Sequence, residues 1–246
     1  MNNYEKLEGM VAATFTPLDE NGDVNLSVID KYADWIASTP IKGVFVCGTT
    51  GEFSSLTIDE RKLILEKWLV SARKRFKVIA HVGSNCQRSA MELARHAAQV
   101  GADAIASIAP SFFKPGTVDE LVDFFAPICH SAAGLPFYYY NMPSITGVNL
   151  PVDKFLVEGK KKIPNLVGTK FTHNNLMEMG VCIELEQHRF EVLHGYDEIL
   201  ISGLAMGAVA GVGSTYNYIP NVYQAIFDSM KMNDLETARH NQIKSI

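Results

Sequence analysis

The chain has 246 residues, enough for one large domain or two small ones, and its 47% apolar and 20% charged content is ordinary for a globular protein. A formal net charge of −5, with no basic cluster longer than the lysines at 160–162, excludes the electrostatic footprint that nucleic acids and anionic membranes attract. The four cysteines lie far apart without a CxxC pair, which favours reduced cytoplasmic thiols over a disulfide scaffold or a zinc site.

Eight short apolar runs rich in β-forming residues recur along the chain, and a helical pattern follows each of them. They are Met10–Thr14, Gly43–Cys47, Lys77–His81, Ala104–Ile108, Pro136–Tyr140, Leu166–Phe171, Glu191–His194 and Val209–Val212. Strictly alternating strands and helices require parallel strands, and eight such units match a closed barrel better than an open doubly wound sheet. The sequence therefore predicts an α/β protein with a (β/α)8 TIM barrel.

The helical patterns between these strands carry start signals. Ser27 begins the first helix, whose apolar face we predict to be Val28, Ile29, Tyr32 and Trp35. Two capping boxes begin long helices: Thr57 with Glu60, before a helix through Arg75, and Thr117 with Glu120, before a helix to about Ala133. Further helices are expected at Arg88–Val100, Val152–Glu158, Asn175–Glu186, Glu198–Met206 and Pro220–Met232.

We next consider a signal peptide, a transmembrane span and the division of the chain into domains. The polar residues 1–6 contain no apolar core of a signal peptide. The run from Ile199 to Phe227 has no charged side chain, but Pro220 and polar residues interrupt it, so we expect buried elements and no transmembrane span. A ninth helical pattern begins at Asp234. We expect residues 1–233 to form the barrel and residues 234–246 to begin an incomplete C-terminal helical domain.

A single lysine, Lys170, lies near the end of the sixth predicted strand. A buried ammonium group costs several kcal/mol unless it is paired, so such an amine is either matched to a carboxylate or driven toward its neutral, nucleophilic form. Alternatively, the side chain extends from the strand end to solvent. The position of Lys170 leaves both interpretations open.

Two other strand ends carry polar groups at the edge where barrel active sites lie. The second strand leads into Gly48–Glu52, where two glycines flank Thr49 and Thr50. Exposed backbone amides and two hydroxyls favour a binding site for a small carboxylate. Such turns are also common as simple connections between a strand and a helix. Tyr140 ends the fifth strand, and its hydroxyl either reaches the barrel mouth or binds a backbone carbonyl in the core. A lysine, a phenol and such a binding site around one cavity are the parts of a Schiff-base enzyme acting on a 2-oxo acid.

Metal and hydrolase chemistry find no support in the sequence. The seven histidines show neither HxH nor HExxH spacing, which disfavours a metal-dependent aldolase, and no GxSxG elbow follows a strand. We expect no metal and no cofactor. His81, inside the third strand, is interpreted as a core histidine with satisfied hydrogen bonds.

Five motifs follow one another at the expected strand ends: GTTGE at Gly48–Glu52, YNMP at Tyr140–Pro143, GTKFT at Gly168–Thr172, GYDE at Gly195–Glu198 and GSTYN at Gly213–Asn217. With them the chain resembles, over almost its whole length, the N-acetylneuraminate lyase branch of the pyruvate-dependent class I aldolases, the family that also contains dihydrodipicolinate synthase. The resemblance implies a cytoplasmic, homotetrameric lyase that reversibly cleaves sialic acid (N-acetylneuraminate) to N-acetylmannosamine and pyruvate. Its partners would be these small molecules.

The resemblance also implies a role for each matching residue. Lys170 would form the Schiff base with the C2 ketone of the substrate, and Tyr140 would be the acid and base. Thr49 and Thr50 would bind the C1 carboxylate. The positions that match those binding the hydroxyl tail of the sugar are Thr172, Gly195, Asp197, Glu198 and Ser214.

Some positions separate this chain from parts of the family. Dihydrodipicolinate synthases carry an arginine two residues after the proline of the YN-P motif, whereas Ile145 stands here, as in a sialate lyase. Phe112 and Phe113 replace a tyrosine of bacterial relatives, so a proton relay through that phenol is absent. The sequence around these two residues resembles that of animal members. Relatives continue into further helices after the barrel. Two alternatives therefore stay open: a related 2-oxo acid aldolase with another aldehyde partner, and a truncated variant with impaired catalysis.

Overall fold

The computed structural model describes residues 5–246, and Met1–Tyr4 of the polar N-terminus lie outside the described residues. Eight parallel strands form a closed barrel in sequence order, and the last strand pairs with the first. The strands are β1 Gly9–Ala13, β2 Gly43–Val46, β3 Lys77–His81, β4 Ala104–Ile108, β5 Phe137–Asn141, β6 Leu166–Phe171, β7 Glu191–His194 and β8 Ala210–Gly213. The predicted TIM barrel is therefore confirmed.

Helices cover the outside of the barrel and follow each strand. Among the described residues they are α1 Val28–Ala37, α2 Ile58–Ala72, α3 Gln87–Val100, α4 Val118–Ser131, α5 Pro143–Thr146, α6 Val152–Lys162, α7 Leu176–Glu184, α8 Leu200–Ala205, α9 Pro220–Lys231 and α10 Leu235–Ser245. Short 3₁₀ helices lie at Phe53–Ser55, Asp197–Ile199 and Thr215–Asn217. No described helix is long and apolar enough to cross a membrane.

Both predicted capping boxes are present. The Thr57 side chain accepts a hydrogen bond from the amide of Glu60, whose carboxylate accepts one from the amide of Thr57, and α4 begins in the same way at Thr117. The Thr57 hydrogen bonds lower the pKa of the Glu60 carboxyl. Each box satisfies amides that the first turn of a helix leaves without partners.

Helix α1 begins directly after Ser27, as predicted, but part of its predicted apolar face is wrong. Ser27 makes no capping bond, because its hydroxyl donates to the Asn25 side chain instead. The buried residues of the helix include Ile29, as predicted, but Val28 and Trp35 are exposed. The Trp35 indole donates to a backbone carbonyl of the chain near the end of β8, so its polar edge, and not burial, determines its position.

Other helix ends differ from the prediction by a few residues. Helix α2 ends at Ala72 because Arg73 and Lys74 adopt left-handed backbone angles, with φ of 49° and 59°. Helix α6 continues to Lys162 instead of ending at Glu158, and its lysines suit the negative end of the helix dipole. The short helix α5, after β5, was not predicted.

Alternation along β5 sends its tyrosines to opposite sides of the barrel wall, as predicted. Tyr138 and Tyr140 belong to the cluster inside the barrel. Tyr139 faces the outer layer, where its ring centroid lies 5.5 Å from that of Phe125 and 4.6 Å from that of Phe155. The interior is therefore a packed core.

The ninth predicted helix is α10. The Asp234 side chain caps it by accepting from the amide of Thr237, and the helix packs along α8 and α9. The Gln242 side chain donates to the backbone carbonyl of Asp197 and accepts from the amide of Ile201. These bonds fix the segment after β7, which carries part of the predicted site.

Candidate active site

Lys170 lies inside the barrel near its C-terminal end. Its side chain projects from β6, the residue is only 4% exposed, and Nζ lies 4.0 Å from the ring centroid of Tyr140 and 4.2 Å from that of Phe45. Within residues 5–246, no carboxylate forms an ion pair with this amine. The interpretation in which the lysine extends to solvent is therefore wrong. The amine instead meets two aromatic faces.

Tyr140 is the direct neighbour of Lys170 across the paired strands β5 and β6. Its hydroxyl lies 3.1 Å from the hydroxyl of Thr49 and donates to the Met142 sulfur, also at 3.1 Å. The alternative of a core tyrosine bound to a backbone carbonyl is wrong for the described contacts. The structure thus brings the amine, the phenol and one hydroxyl of the Gly48–Glu52 segment together.

The loop after β2 turns sharply beside this group. Cys47 and Glu52, at its two ends, have left-handed backbone conformations, with φ of 53° and 54°. Gly48 leaves room for the Phe45 ring, because a Cβ atom there would lie 2.8 Å from it. The amide of Phe53 closes the turn on the Gly48 carbonyl. Thr49 and Thr50 are half-buried at the barrel mouth.

The predicted tail-binding residues lie after β6, β7 and β8. Thr172 is buried, and its hydroxyl has no hydrogen-bond partner within the described part of the chain. Gly195 lies against it, since a Cβ atom at this position would overlap the Thr172 hydroxyl. A buried hydroxyl without a partner is costly, so Thr172 has capacity to bind a ligand.

Asp197 and Glu198 have different surroundings. Asp197 is buried, and its carboxylate accepts from both the amide and the hydroxyl of Thr215, at 2.8 and 2.5 Å. It therefore holds the β8 end, next to half-buried Ser214, in addition to any contact with a ligand. Glu198 is exposed. Partial desolvation of its carboxyl and the neighbouring Asp197 carboxylate raise the pKa of Glu198.

His81 is the core histidine that the sequence predicts. It is 3% exposed; its Nδ1 bonds to the Cys47 carbonyl at 2.8 Å, and its Nε2 accepts from the amide of Ile108 at 3.3 Å. Burial, and then the charge of Arg61, holds the pKa of His81 well below its usual value. The ring is therefore neutral with the proton on Nδ1, and it binds strands β2 and β4 to β3.

Sequence reasoning missed Arg61. Its buried guanidinium, in a small space that Cys47 also lines, donates to the carbonyls of His81 and Gly83 at 2.7 and 2.9 Å. A signal existed, because Arg61 occupies the same face of α2 as buried Ile64, Leu65 and Trp68, where a charged residue is unusual.

Three apolar residues singled out in the sequence follow strands β4 and β5. Phe112, Phe113 and Ile145 are all exposed. A cavity of about 1020 Å³ at the opposite end of the barrel, lined in part by Leu7, Lys42 and Lys77, contains none of the predicted site residues. In the described ranges, no group of three or more His, Cys, Asp or Glu side chains could hold a metal ion.

Comparison with known proteins identifies the family and the fold. The model of the dihydrodipicolinate synthetase family matches residues 6–245. The N-acetylneuraminate lyase of Gallus gallus is 44% identical over 245 residues, covering 98% of this chain and 80% of the relative. The structure of the Proteus mirabilis N-acetylneuraminate lyase has a TM-score of 0.94 and 36% identity, covering 97% of this chain and 80% of that one.

A third relative concerns the lysine. The structure of a catalytic lysine mutant of the Ruminococcus gnavus sialic acid aldolase has a TM-score of 0.93 and 28% identity, covering 99% of this chain and 79% of that one. Family model, sequence identity and fold agree over nearly the whole chain. The chain therefore belongs to the dihydrodipicolinate synthetase family, and within it to the N-acetylneuraminate lyases.

Proposed function

We propose that this protein is a class I lyase that cleaves N-acetylneuraminate to N-acetylmannosamine and pyruvate, reversibly, through a Schiff base on Lys170. The observation that carries the proposal is the buried Lys170 amine on the ring of Tyr140, whose hydroxyl lies 3.1 Å from that of Thr49. Nucleophilic lysines of this kind occupy desolvated, apolar surroundings. The named relatives act on sialic acid, which supports this choice of substrate.

The first step joins the substrate to the enzyme. Nζ of Lys170 attacks the C2 ketone of the open-chain sugar acid, and loss of water leaves an iminium ion. Thr49 and Thr50 bind the adjacent C1 carboxylate with their hydroxyls and with the amides of the turn, which hold the ketone near the amine.

The second step breaks the C3–C4 bond. The Tyr140 oxygen, which has first passed its own proton to water, takes the proton of the C4 hydroxyl, the C4 carbon becomes the aldehyde of N-acetylmannosamine, and the bonding electrons pass into the iminium to give an enamine. Protonation of the enamine at C3 and addition of water release pyruvate and the free amine. The contact between Thr49 and Tyr140 orients the phenol for this transfer.

The remaining residues recognise the sugar tail. Thr172 has a buried hydroxyl without a partner in the described part of the chain, Gly195 gives it space, and Asp197, Glu198 and Ser214 add polar groups after the neighbouring strands. Such matched donors and acceptors reject substrates that lack the hydroxyls. Ile145 stands where a dihydrodipicolinate synthase would place its arginine, which favours a sugar aldehyde over an anionic one.

Trapping of the intermediate tests the proposal. Incubation with pyruvate and borohydride should reduce the imine to a stable adduct that mass spectrometry locates on Lys170. Lys170→Arg, which keeps the charge but is a poor nucleophile, should give no adduct. Folded wild-type protein without an adduct on Lys170 would overturn the proposal.

A competition experiment addresses the second candidate, an aldolase with another aldehyde partner. We expect cleavage of N-acetylneuraminate to exceed that of shorter 2-keto-3-deoxy acids, and a preference for shorter acids would favour the alternative.

We further propose that the enzyme needs no metal or cofactor, acts in the cytoplasm as a homotetramer, and changes from barrel to C-terminal helical region near residue 233. A turnover assay combined with light scattering tests the assembly and also the possibility of impaired catalysis.

A further inference from the structure

Arg61 is a buried cation without an anionic partner among the described residues. It is 4% exposed, and its guanidinium donates to the backbone carbonyls of His81 and Gly83 and also interacts with the Cys47 thiol. Its Nε atom has no hydrogen-bond partner in residues 5–246. Burial lowers the pKa of Arg61 to about 10, so the side chain still carries its charge at neutral pH.

Such a charge is expensive to keep. Buried arginines are normally paired with carboxylates, and replacing a buried ionic group by an apolar side chain of similar volume is often neutral or stabilising. Two carbonyl hydrogen bonds compensate only part of the loss of water. The position on α2 faces Leu65 and other apolar residues that would accept methionine, at the loss of the two carbonyl hydrogen bonds.

The charge lies directly behind the loop that binds the carboxylate. Arg61 and Cys47 line the same small space between α2 and strands β2 and β3, and Cys47 is the residue that precedes Gly48. The guanidinium carbon also lies 5.4 Å from the ring centroid of Phe53, whose amide closes the turn on Gly48. Arg61 thus touches the chain on both sides of the loop.

His81 connects the same cation to the interior of the barrel. Arg61 donates to the backbone carbonyl of His81, and the His81 ring bonds to the carbonyl of Cys47. The centroid of the same ring lies 5.8 Å from that of Tyr140. Because the ring stays neutral, it adds no positive charge of its own, and the two cations that act on it are Arg61, outside the barrel wall, and Lys170, inside the barrel.

We propose that Arg61 supplies the positive charge that attracts the carboxylate of a 2-oxo acid to the Gly48–Gly51 loop. It does so from beneath the loop, as a positioning residue that touches no substrate. The inference rests on the proposed function, since it concerns the same carboxylate. With an effective dielectric constant near 20, Coulomb's law gives roughly ten-fold tighter binding of an anion than of a neutral ligand at a distance of about 12 Å from the charge.

The test compares two ketones that differ in charge. Pyruvate carries the carboxylate, and pyruvamide is its neutral amide with the same number of heavy atoms. Borohydride trapping on Lys170 is measured against the concentration of each. In Arg61→Met, half-maximal trapping should need roughly ten times more pyruvate but an unchanged concentration of pyruvamide. Arg61→Lys, which keeps the charge, should restore the preference for pyruvate.

A second pair of variants leaves Arg61 in place. Cys47 has a left-handed backbone, which aspartate and asparagine tolerate better than most residues do. Cys47→Asp places a carboxylate beside the guanidinium and should reproduce the selective loss for pyruvate. Cys47→Asn has nearly the same shape without the charge and should keep the wild-type preference. This pair answers the question even if Arg61→Met does not fold.

The outcomes separate the two proposals. Equal losses for pyruvate and pyruvamide in Arg61→Met, or equal behaviour of Cys47→Asp and Cys47→Asn, would mean that Arg61 acts only on loop structure, and the inference would be overturned. Absence of any adduct in the wild type would overturn the proposed function as well. A normal wild-type adduct with unchanged selectivity in the variants would overturn this inference alone.

Discussion

The hydroxyl of Tyr140 touches the Thr49 hydroxyl and the Met142 sulfur, and its ring lies under the Lys170 amine. The ring and the hydroxyl therefore do different work. The ring helps to enclose the amine, whereas only the hydroxyl can move the proton of the C4 hydroxyl. Removing the oxygen alone should separate the two roles.

Tyr140→Phe keeps the ring and should keep the Schiff base with pyruvate. Its kcat for cleavage of N-acetylneuraminate should fall by a factor on the order of 10² to 10⁴, the usual contribution of a positioned acid or base. Steady-state kinetics and borohydride trapping on the same preparation measure both effects. If the variant cleaved the sugar at the wild-type rate, Tyr140 would not be the proton-transfer group.

The positions that sequence reasoning identified differ from those it missed in a physical way. Lys170 and Tyr140 end strands, so the barrel topology alone brings them to one mouth and their chemistry is readable from the sequence. Arg61 projects from a helix into the space behind the strands, and the hydroxyl of Thr215 reaches Asp197 from the next strand end. Contacts of that kind depend on packing between distant segments, which periodicity does not encode.

Strands were easier to predict than helix ends. A buried strand is a short, mainly apolar run, and β3, β4, β6 and β7 have the predicted bounds. Helix ends depend on single residues, such as the left-handed Arg73 that ends α2 and the uncapped Ser27 before α1. Where a capping box fixes the end, as in α2 and α4, the predicted start was correct.

Helix α2 carries Arg61, and the capping box of Thr57 and Glu60 forms the start of this helix. Thr57→Ala removes the hydroxyl that accepts from the Glu60 amide, and we expect the free energy of unfolding to fall by about 1 kcal/mol. Thr57→Ser keeps the acceptor and should stay close to the wild type. Urea unfolding followed by circular dichroism gives both values. Equal stabilities of the two variants would contradict the capping role.

The barrel as a whole is closed at its N-terminal end by a carboxyl group. Glu191, the first residue of β7, accepts from the Tyr138 hydroxyl across the interior and from the amide of Leu7 in the segment before β1, at 2.9 and 3.0 Å. Glu191 is 6% exposed, and burial raises the pKa of its carboxyl from the usual 4.5, while the two hydrogen bonds oppose part of this change. Three separate parts of the chain therefore meet at one titrating group.

This raised pKa makes the stability of the barrel depend on pH. The folded protein retains a proton that the unfolded chain loses above about pH 4.5, so the contribution is fully present below that pH and is lost as the pH rises through the folded-state pKa. Glu191→Gln keeps an acceptor for Tyr138 and Leu7 without the charge. We expect this variant to be more stable than the wild type at neutral pH and to lack this decline.

Exposed Glu92 provides the control of opposite sign. Its hydrogen bond with Lys62 lowers the pKa of its carboxyl, so its contribution is present at neutral pH and is lost on acidification. Glu92→Gln should therefore leave the neutral-side decline of the wild type intact. Urea unfolding of both variants between pH 4 and pH 8 measures the difference, and a decline that persists in Glu191→Gln would mean that another buried group, and not the carboxyl at the closed end of the barrel, controls the pH dependence.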